Sequence, residues 1–398
     1  MKGFLIQTLF ELKKDLRTVF FVAAVCVITA AVFFIGAGDL RGFGFHRQYL
    51  SREKEVNELL SALPEAELQA YFAALSKRYG PEITDAIVFP EEMLNPPGLL
   101  DPRFADADVL LEYRSRVQAR ETLENARLRA EKTAAMFLEK AEREKDRAGI
   151  LKNRFLKRVY EEKTAEISCR VSGWDEFLEK KLFYGLLPMF LLLPILFGLS
   201  FSGEREGGTL RLLYAAKDGR RKMTAAKMTA SALTAVGLTL WFSGVALAAY
   251  ALNHGLMGGK ESIRLLSGME LCPYTLRIRQ YFALTVLAAM ISAAALSVLL
   301  TAVSAFIGKR ILSCAVCMGL TGLMLLPVVL DIRQELLRGP LTLLKTGRYL
   351  DSYYTADIFS LPVPWSLIQA FLALLLCGIA VALVLRRCSG KRNLRRRV

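Results

Sequence analysis

The chain has 398 residues, with 53 lysines and arginines against 38 aspartates and glutamates, a formal net charge of +15. Such a basic balance commonly marks a nucleic-acid binder, but 53% of the residues are hydrophobic and the mean hydropathy is positive. That combination sets the chain apart from nucleic-acid binders and excludes a single water-soluble globule.

The averages hide two populations. Between Asp39 and Lys181, 52 of 143 residues are charged, 25 basic and 27 acidic; the remaining 255 residues hold only 39 charges, 28 basic and 11 acidic. In chain order, residues 1–17 carry Leu5, Leu9, Leu12 and Leu16 at helical spacing beside Lys13, Lys14 and Arg17. This reads either as an amphipathic helix along the inner membrane surface or as an extension of the first span.

Six windows without Asp, Glu, Lys or Arg follow: Thr18–Gly38, Leu182–Gly203, Met228–Asn253, Gln280–Gly308, Ile311–Leu330 and Ile358–Leu385. Each reaches the length of about 20 residues that a helical crossing needs, and backbone in lipid must satisfy its own hydrogen bonds. The expected fold is therefore all-α: a polytopic membrane protein with six transmembrane helices and a large helical extracytoplasmic domain between helices 1 and 2. The first window has a long basic lead and no clear small-residue cleavage site, so it reads as an uncleaved anchor.

The expected division is 1–38 for the lead and first span, 39–181 for the outer domain, 182–385 for spans two to six, and 386–398 for a basic tail. With the N-terminus inside, the cytoplasmic segments hold 20 basic residues and the short outer loops 8. This positive-inside bias places both termini in the cytoplasm of a multi-pass cell-membrane protein, and the charge faces anionic membrane lipid rather than nucleic acid.

In the outer domain, residues 46–62 and a segment opened by Pro64 read as helices, followed by a proline-rich loop to Pro102. Ala105–Val171 has no proline and one glycine, Gly149, and is rich in helix formers. It reads as a helical stalk with a break near Gly149 and an apolar face at Leu151, Phe155, Val159 and Ile167. The competing reading, a soluble catalytic domain, lacks a glycine-rich phosphate loop or clustered metal ligands.

The most informative stretch is the cytoplasmic segment 203–227. Glu204 and Glu206 flank Arg205 at the membrane boundary, where isolated charges are costly. Gly207 and Gly208 permit a tight turn, and Thr209 can cap a short helix carrying Leu210 and Leu213, with basic residues at its far end. It reads as a small amphipathic helix beneath the bilayer that docks on another protein. A basic loop that only fixes topology is the plainer reading, but it leaves the Glu-x-Glu-x-Gly-Thr pattern unexplained.

Here the sequence resembles the permease subunits of ABC transporters of the ABC-2 type. Glu204, Glu206, Gly208, Thr209 and Leu210 match that family's Glu-x-Glu-x-Gly-Thr-Leu segment. Leu212-Leu213 match its leucine pair, and Lys227 the lysine opening the third span. Ala215-Ala216-Lys217 stands where a proline turn is common, and Ala226 where a glycine usually precedes the lysine. The resemblance implies that Glu204–Leu213, with Arg205, couples the spans to a separate ABC ATPase. A second permease copy or a homologous permease would complete the pathway, as homodimer or heterodimer.

No Gly-x-x-x-x-Gly-Lys-Ser/Thr loop occurs in the chain, so it is not expected to be an enzyme or to bind a cofactor itself. ATP and Mg would sit on the partner ATPase. The alternative is a non-transporting membrane sensor or scaffold with an extracytoplasmic helical stalk. Two histidines in the chain argue against a metal centre. Cys169 and Cys272 both fall outside by this topology and are candidates for a disulfide.

Overall fold

The fold is taken from a computed structural model of the chain. It describes residues 2–17, 19–37, 102–161, 171, 173–208, 219–254, 256, 258–330, 341, 343–344, 350, 355–358 and 361–394. The expected helices at 46–62 and from Pro64, like Cys169, Thr209, Leu210 and Leu213, lie outside the described residues. The chain divides into two units, one of Met1–Gly36, Leu178–Ala249 and Phe282–Val398, the other of Ala37–Phe177 and Tyr250–Tyr281.

The first unit is membrane-like. It opens with α1 (Lys2–Arg17) and α2 (Val19–Ala37). In α1 the polar positions Thr8 and Glu11 are buried, whereas Leu5, Ile6, Leu9 and Phe10 are exposed. A helix that turns its polar side to the protein and leaves its apolar side uncovered suits a lipid boundary, where the solvent is apolar.

The second unit holds α3 (Pro102–Glu144) and α4 (Arg147–Glu161). Pro102 occupies the first position of α3, where its missing N–H costs nothing. Instead of running on as one stalk, the two helices pack as a hairpin. Leu123, Ala134 and Ala141 are buried along α3, and Ala148 and Tyr160 along α4. The small side chains among them, Ala134, Ala141 and Ala148, let the helices approach closely where the hairpin turns.

The expected break falls at Lys145-Asp146, before Gly149. Lys145 takes a left-handed conformation (φ 57°), and Asp146 Oδ1 accepts from the Ala148 N–H at 3.1 Å, capping α4. Gly149 is required beside the turn, because a Cβ there would meet Asp146 Oδ2 at 2.3 Å and Ala141 Cβ at 3.1 Å.

Arg127 ties the hairpin together. Its guanidinium contacts Glu124 at 2.6 and 3.0 Å and Glu131 at 3.3 Å, and donates to the Tyr160 carbonyl. Its hydrogen bonding to the Glu124 carboxylate holds the guanidinium above its ordinary pKa. Leu151 and Phe155, expected on a packed apolar face, are largely exposed. The Tyr160 hydroxyl donates to the Leu271 carbonyl at 2.5 Å, bringing the 258–281 loop onto the hairpin.

Among the described residues, five helices are long and apolar enough to cross a membrane: Trp174–Glu206, Arg221–Leu252, Ile278–Phe306, Arg310–Val329 and Trp365–Arg386. Phe21–Phe34 of α2 is a shorter apolar stretch. The first of the five contains a π-helical turn, Phe177–Lys181, then α5 (Leu182–Gly198), a break, and α6 (Ser202–Glu206). The others are α7 (Gly219–His254), α8 (Ile278–Phe306), α9 (Arg310–Val329) and α10 (Trp365–Leu394).

Two boundaries differ from the charge-free windows. Lys227, placed just ahead of the third window, lies well inside α7, which already runs as helix from Gly219. The last window was expected to open at Ile358 as helix. Instead β1 (Thr355–Ile358) pairs antiparallel with β2 (Leu361–Pro364), and α10 starts at Trp365. The fold is thus mostly helical, as expected, with one short β-hairpin among the described residues. Absence of charge marks an apolar segment but not its backbone, and Pro362 and Pro364 disfavour a helix here.

Packing inside the first unit uses small and hydroxylated residues. Ser313, Cys317, Thr321, Leu325 and Val328 make the buried face of α9, which packs on α5. A Cβ on Gly198 would meet Cys317 Cβ and Sγ at 3.2 Å. Gly185 is held comparably, 3.2 Å from Ala246 and 3.5 Å from Val32, where α2, α5 and α7 meet. Such close approach is how helices associate in lipid, where apolar burial gives no net drive.

Candidate functional site

The segment singled out in the sequence forms where the helix of span two is interrupted. α5 ends at Gly198, residues 199–201 leave the α path, and α6 restarts at Ser202. An interruption in an apolar helix frees backbone groups that must find partners. They do: Ser202 Oγ and Ser313 Oγ donate to the Gly198 carbonyl at 3.0 and 2.6 Å, and the Phe201 N–H donates to Ser304 Oγ at 3.3 Å. Three serines on three helices therefore hold the break.

Three consecutive side chains of α6 then reach three different helices. Glu204 points into the unit, where its Oε1 accepts from Lys227 Nζ on α7 at 2.7 Å. Arg205 donates through Nη2 to the Ala305 carbonyl at the end of α8, at 2.9 Å. Glu206 accepts through Oε2 from the Arg310 N–H at the start of α9, at 3.1 Å.

Lys227 is the centre of the buried part. Its ammonium also reaches Glu11 Oε2 on α1 at 3.2 Å and the Ser200 carbonyl at 3.5 Å, and lies 5.4 Å from the Phe201 ring centroid. The side chains of Lys227, Glu11 and Glu204 are 3%, 10% and 9% exposed. Next to them lies an apolar cluster of Phe201, Met228, Ala302, Ala305, Ala380 and Val384. In so dry a setting the two carboxylates are held by the one ammonium between them, and a charge left without its counter-ion would cost several kcal/mol.

Of the residues expected here, the structure joins Glu204, Arg205, Glu206 and Lys227 into one network. Gly208 follows α6 in a left-handed conformation (φ 74°), and Gly207 lies in the same turn, as the glycine pair predicted. Thr209, Leu210 and Leu213 fall outside the described residues. Glu11 was missed: it stands 216 positions from its lysine, although an acid inside an otherwise leucine-and-lysine helix was visible in the sequence. Arg310 and Ser313 were missed as well, having been counted only as a topology charge and a span residue.

Cys169 is outside the described residues, so the expected pairing with Cys272 rests on the sequence reading alone. Cys272 is buried, with Sγ 3.9 Å from the Tyr274 carbonyl oxygen. No group of three or more metal-ligating side chains occurs among the described residues. The network is made of ion pairs and helix-end contacts.

No curated protein and no solved structure matches the chain. The family model described as ABC-2 family transporter protein matches residues 11–384, nearly the whole chain and every residue of the network just described. The chain belongs to the ABC-2 transporter family and is a multi-pass membrane permease of that kind.

Proposed function

We propose that the protein is the membrane-spanning subunit of an ATP-driven exporter, energised by a separate ABC ATPase, with Glu204–Leu213 as the coupling segment. The observation that carries this is the attachment of α6 to α7, α8 and α9 through Glu204, Arg205 and Glu206, with α1 joined to the same lysine of α7 through Glu11. A segment so joined to the cytoplasmic ends of several helices can pass a push on the adjoining 207–218 stretch into the bundle. In this reading α2 is the first of six spans, both termini are cytoplasmic, and the α3–α4 hairpin lies outside. Two permease chains complete the path.

The test is co-expression with the ABC ATPases of the same genome, followed by purification of any complex. A stable complex with vanadate-sensitive ATP hydrolysis is expected, lost when Leu210 and Leu213 are replaced by Asp. If none assembles with the chain, the reading fails and the sensor or scaffold takes its place, since that role needs no ATPase.

A further inference from the structure

The geometry points to a mutual capping clasp between α6 and the turn joining α8 to α9. We propose that it makes Arg205, Glu206 and Arg310 positioning residues through which the coupling segment moves spans four and five together. This rests on the coupling role proposed above and names the side chains that carry it.

Every helix leaves its last carbonyls and first amides without partners inside the helix. At the α8–α9 turn these groups are served from a distance. Lys309, the residue preceding α9, contributes no side-chain cap. Glu206, 104 residues earlier, supplies one instead, accepting from the Arg310 amide at 3.1 Å.

The Arg310 side chain returns the contact, donating to the Gly203 carbonyl of α6 at 2.8 Å, with its Nε 3.5 Å from Glu206 Oε2. Arg205 serves the other side of the turn through the Ala305 carbonyl. The ends of α8 and α9 are therefore completed by residues of α6, and Arg310 adds a second donor to the Gly203 carbonyl, which already accepts from the Gly207 N–H at 3.1 Å. Displacement of α6 alone would uncap two helices, so the turn and α6 form one body.

The ion pair by itself could not carry this. Both side chains are about half exposed (51% and 55%), and such pairs contribute little. The directed bonds to backbone are what join the pieces, and their loss follows capping energetics. This separates the clasp from the buried Lys227 network, which holds α1 and α7.

The experiment uses the full chain in lipid nanodiscs, with and without the ATPase. Amide hydrogen exchange across residues 305–313 should quicken about fivefold in Glu206→Ala and in Arg310→Met. Glu206→Gln, which keeps the acceptor and loses the charge, should restore the slow rate. In the assembled complex, Glu206→Ala should lower the turnover of vanadate-sensitive hydrolysis while assembly and the KM for ATP stay unchanged.

Unaltered exchange in Glu206→Ala would overturn the clasp, as would a Gln variant no better than Ala. Quickened exchange with unchanged turnover would remove its role in transmission. Loss of assembly in Glu206→Ala would place the residue at the ATPase surface and also overturn it. If the unsubstituted chain never assembles, the coupling reading falls separately, and the exchange measurement still decides the clasp.

Discussion

Lys227 on α7 holds two carboxylates at once, Glu204 at 2.7 Å and Glu11 at 3.2 Å, with its side chain only 3% exposed. The two acids come from the broken end of span two and from the N-terminal helix, 23 and 216 residues away in sequence. One ammonium thus pins the N-terminal helix to the bundle beside α6.

Lys227→Met should be strongly destabilising, by about 3–5 kcal/mol, because two buried carboxylates lose their counter-ion. The triple variant Lys227→Met/Glu11→Gln/Glu204→Gln should recover most of that loss, since neutral groups of similar size carry no ionic desolvation cost. Thermal unfolding of the detergent-purified chain checks both. A triple variant as unstable as Lys227→Met would show that the charges are not the cause.

At the α3–α4 turn, Gly149→Ala should cost about 1–2 kcal/mol. The added Cβ displaces the Asp146 carboxylate, 2.3 Å away, which caps α4 through the Ala148 amide. Asp146→Ala should cost about 1 kcal/mol through the same bond, and the two effects should not add, because they share it. Hydrogen exchange of residues 147–152 in the full chain reads both. Additive effects would rule out the shared cap.

Trp241 is half exposed on α7, and its Nε1 donates to Thr29 Oγ1 on α2 at 3.0 Å. It sits near the middle of the Arg221–Leu252 helix, so lipid should surround its open face. With Trp174 and Trp365 replaced by Phe, Trp241 fluorescence should be quenched most by lipids brominated deep in the acyl chain. Trp241→Phe should weaken the α2–α7 association by about 0.6 kcal/mol, as interhelical hydrogen bonds in lipid do. Quenching only by headgroup-level bromine would displace α7 from the expected depth.

The proposed topology makes a further prediction. Alkaline phosphatase fused within the 145–146 turn should be active, and a fluorescent protein fused after Val398 should fluoresce. The reverse pattern would invert the orientation read from the basic residues.

Much of the site was legible before any coordinates. Glu204, Arg205 and Glu206 stood out because charges at the border of an apolar window are costly and therefore need a partner, and Lys227 because the resemblance to ABC-2 permeases marked it. The glycine pair announced the turn that Gly208 makes at φ 74°. Who the partners were was not legible: Glu11 and Arg310 belong to other helices, and no periodicity links positions 104 or 216 residues apart. The broken end of span two was hidden too, because Leu199, Ser200 and Phe201 look like ordinary span residues.

Composition and charge by themselves determined that this chain belongs in a membrane and where its apolar segments lie. Those properties are local: a window is apolar or it is not, and basic residues accumulate in particular loops. Only the tertiary structure decided which side of each helix packs, such as the Ser313, Cys317, Thr321 and Leu325 face of α9. A helix apolar on every side carries no moment to orient it. The tertiary structure also decided that 355–364 is a hairpin and that Lys227 joins α1 to span two. Pairing across the chain depends on how helices meet in space.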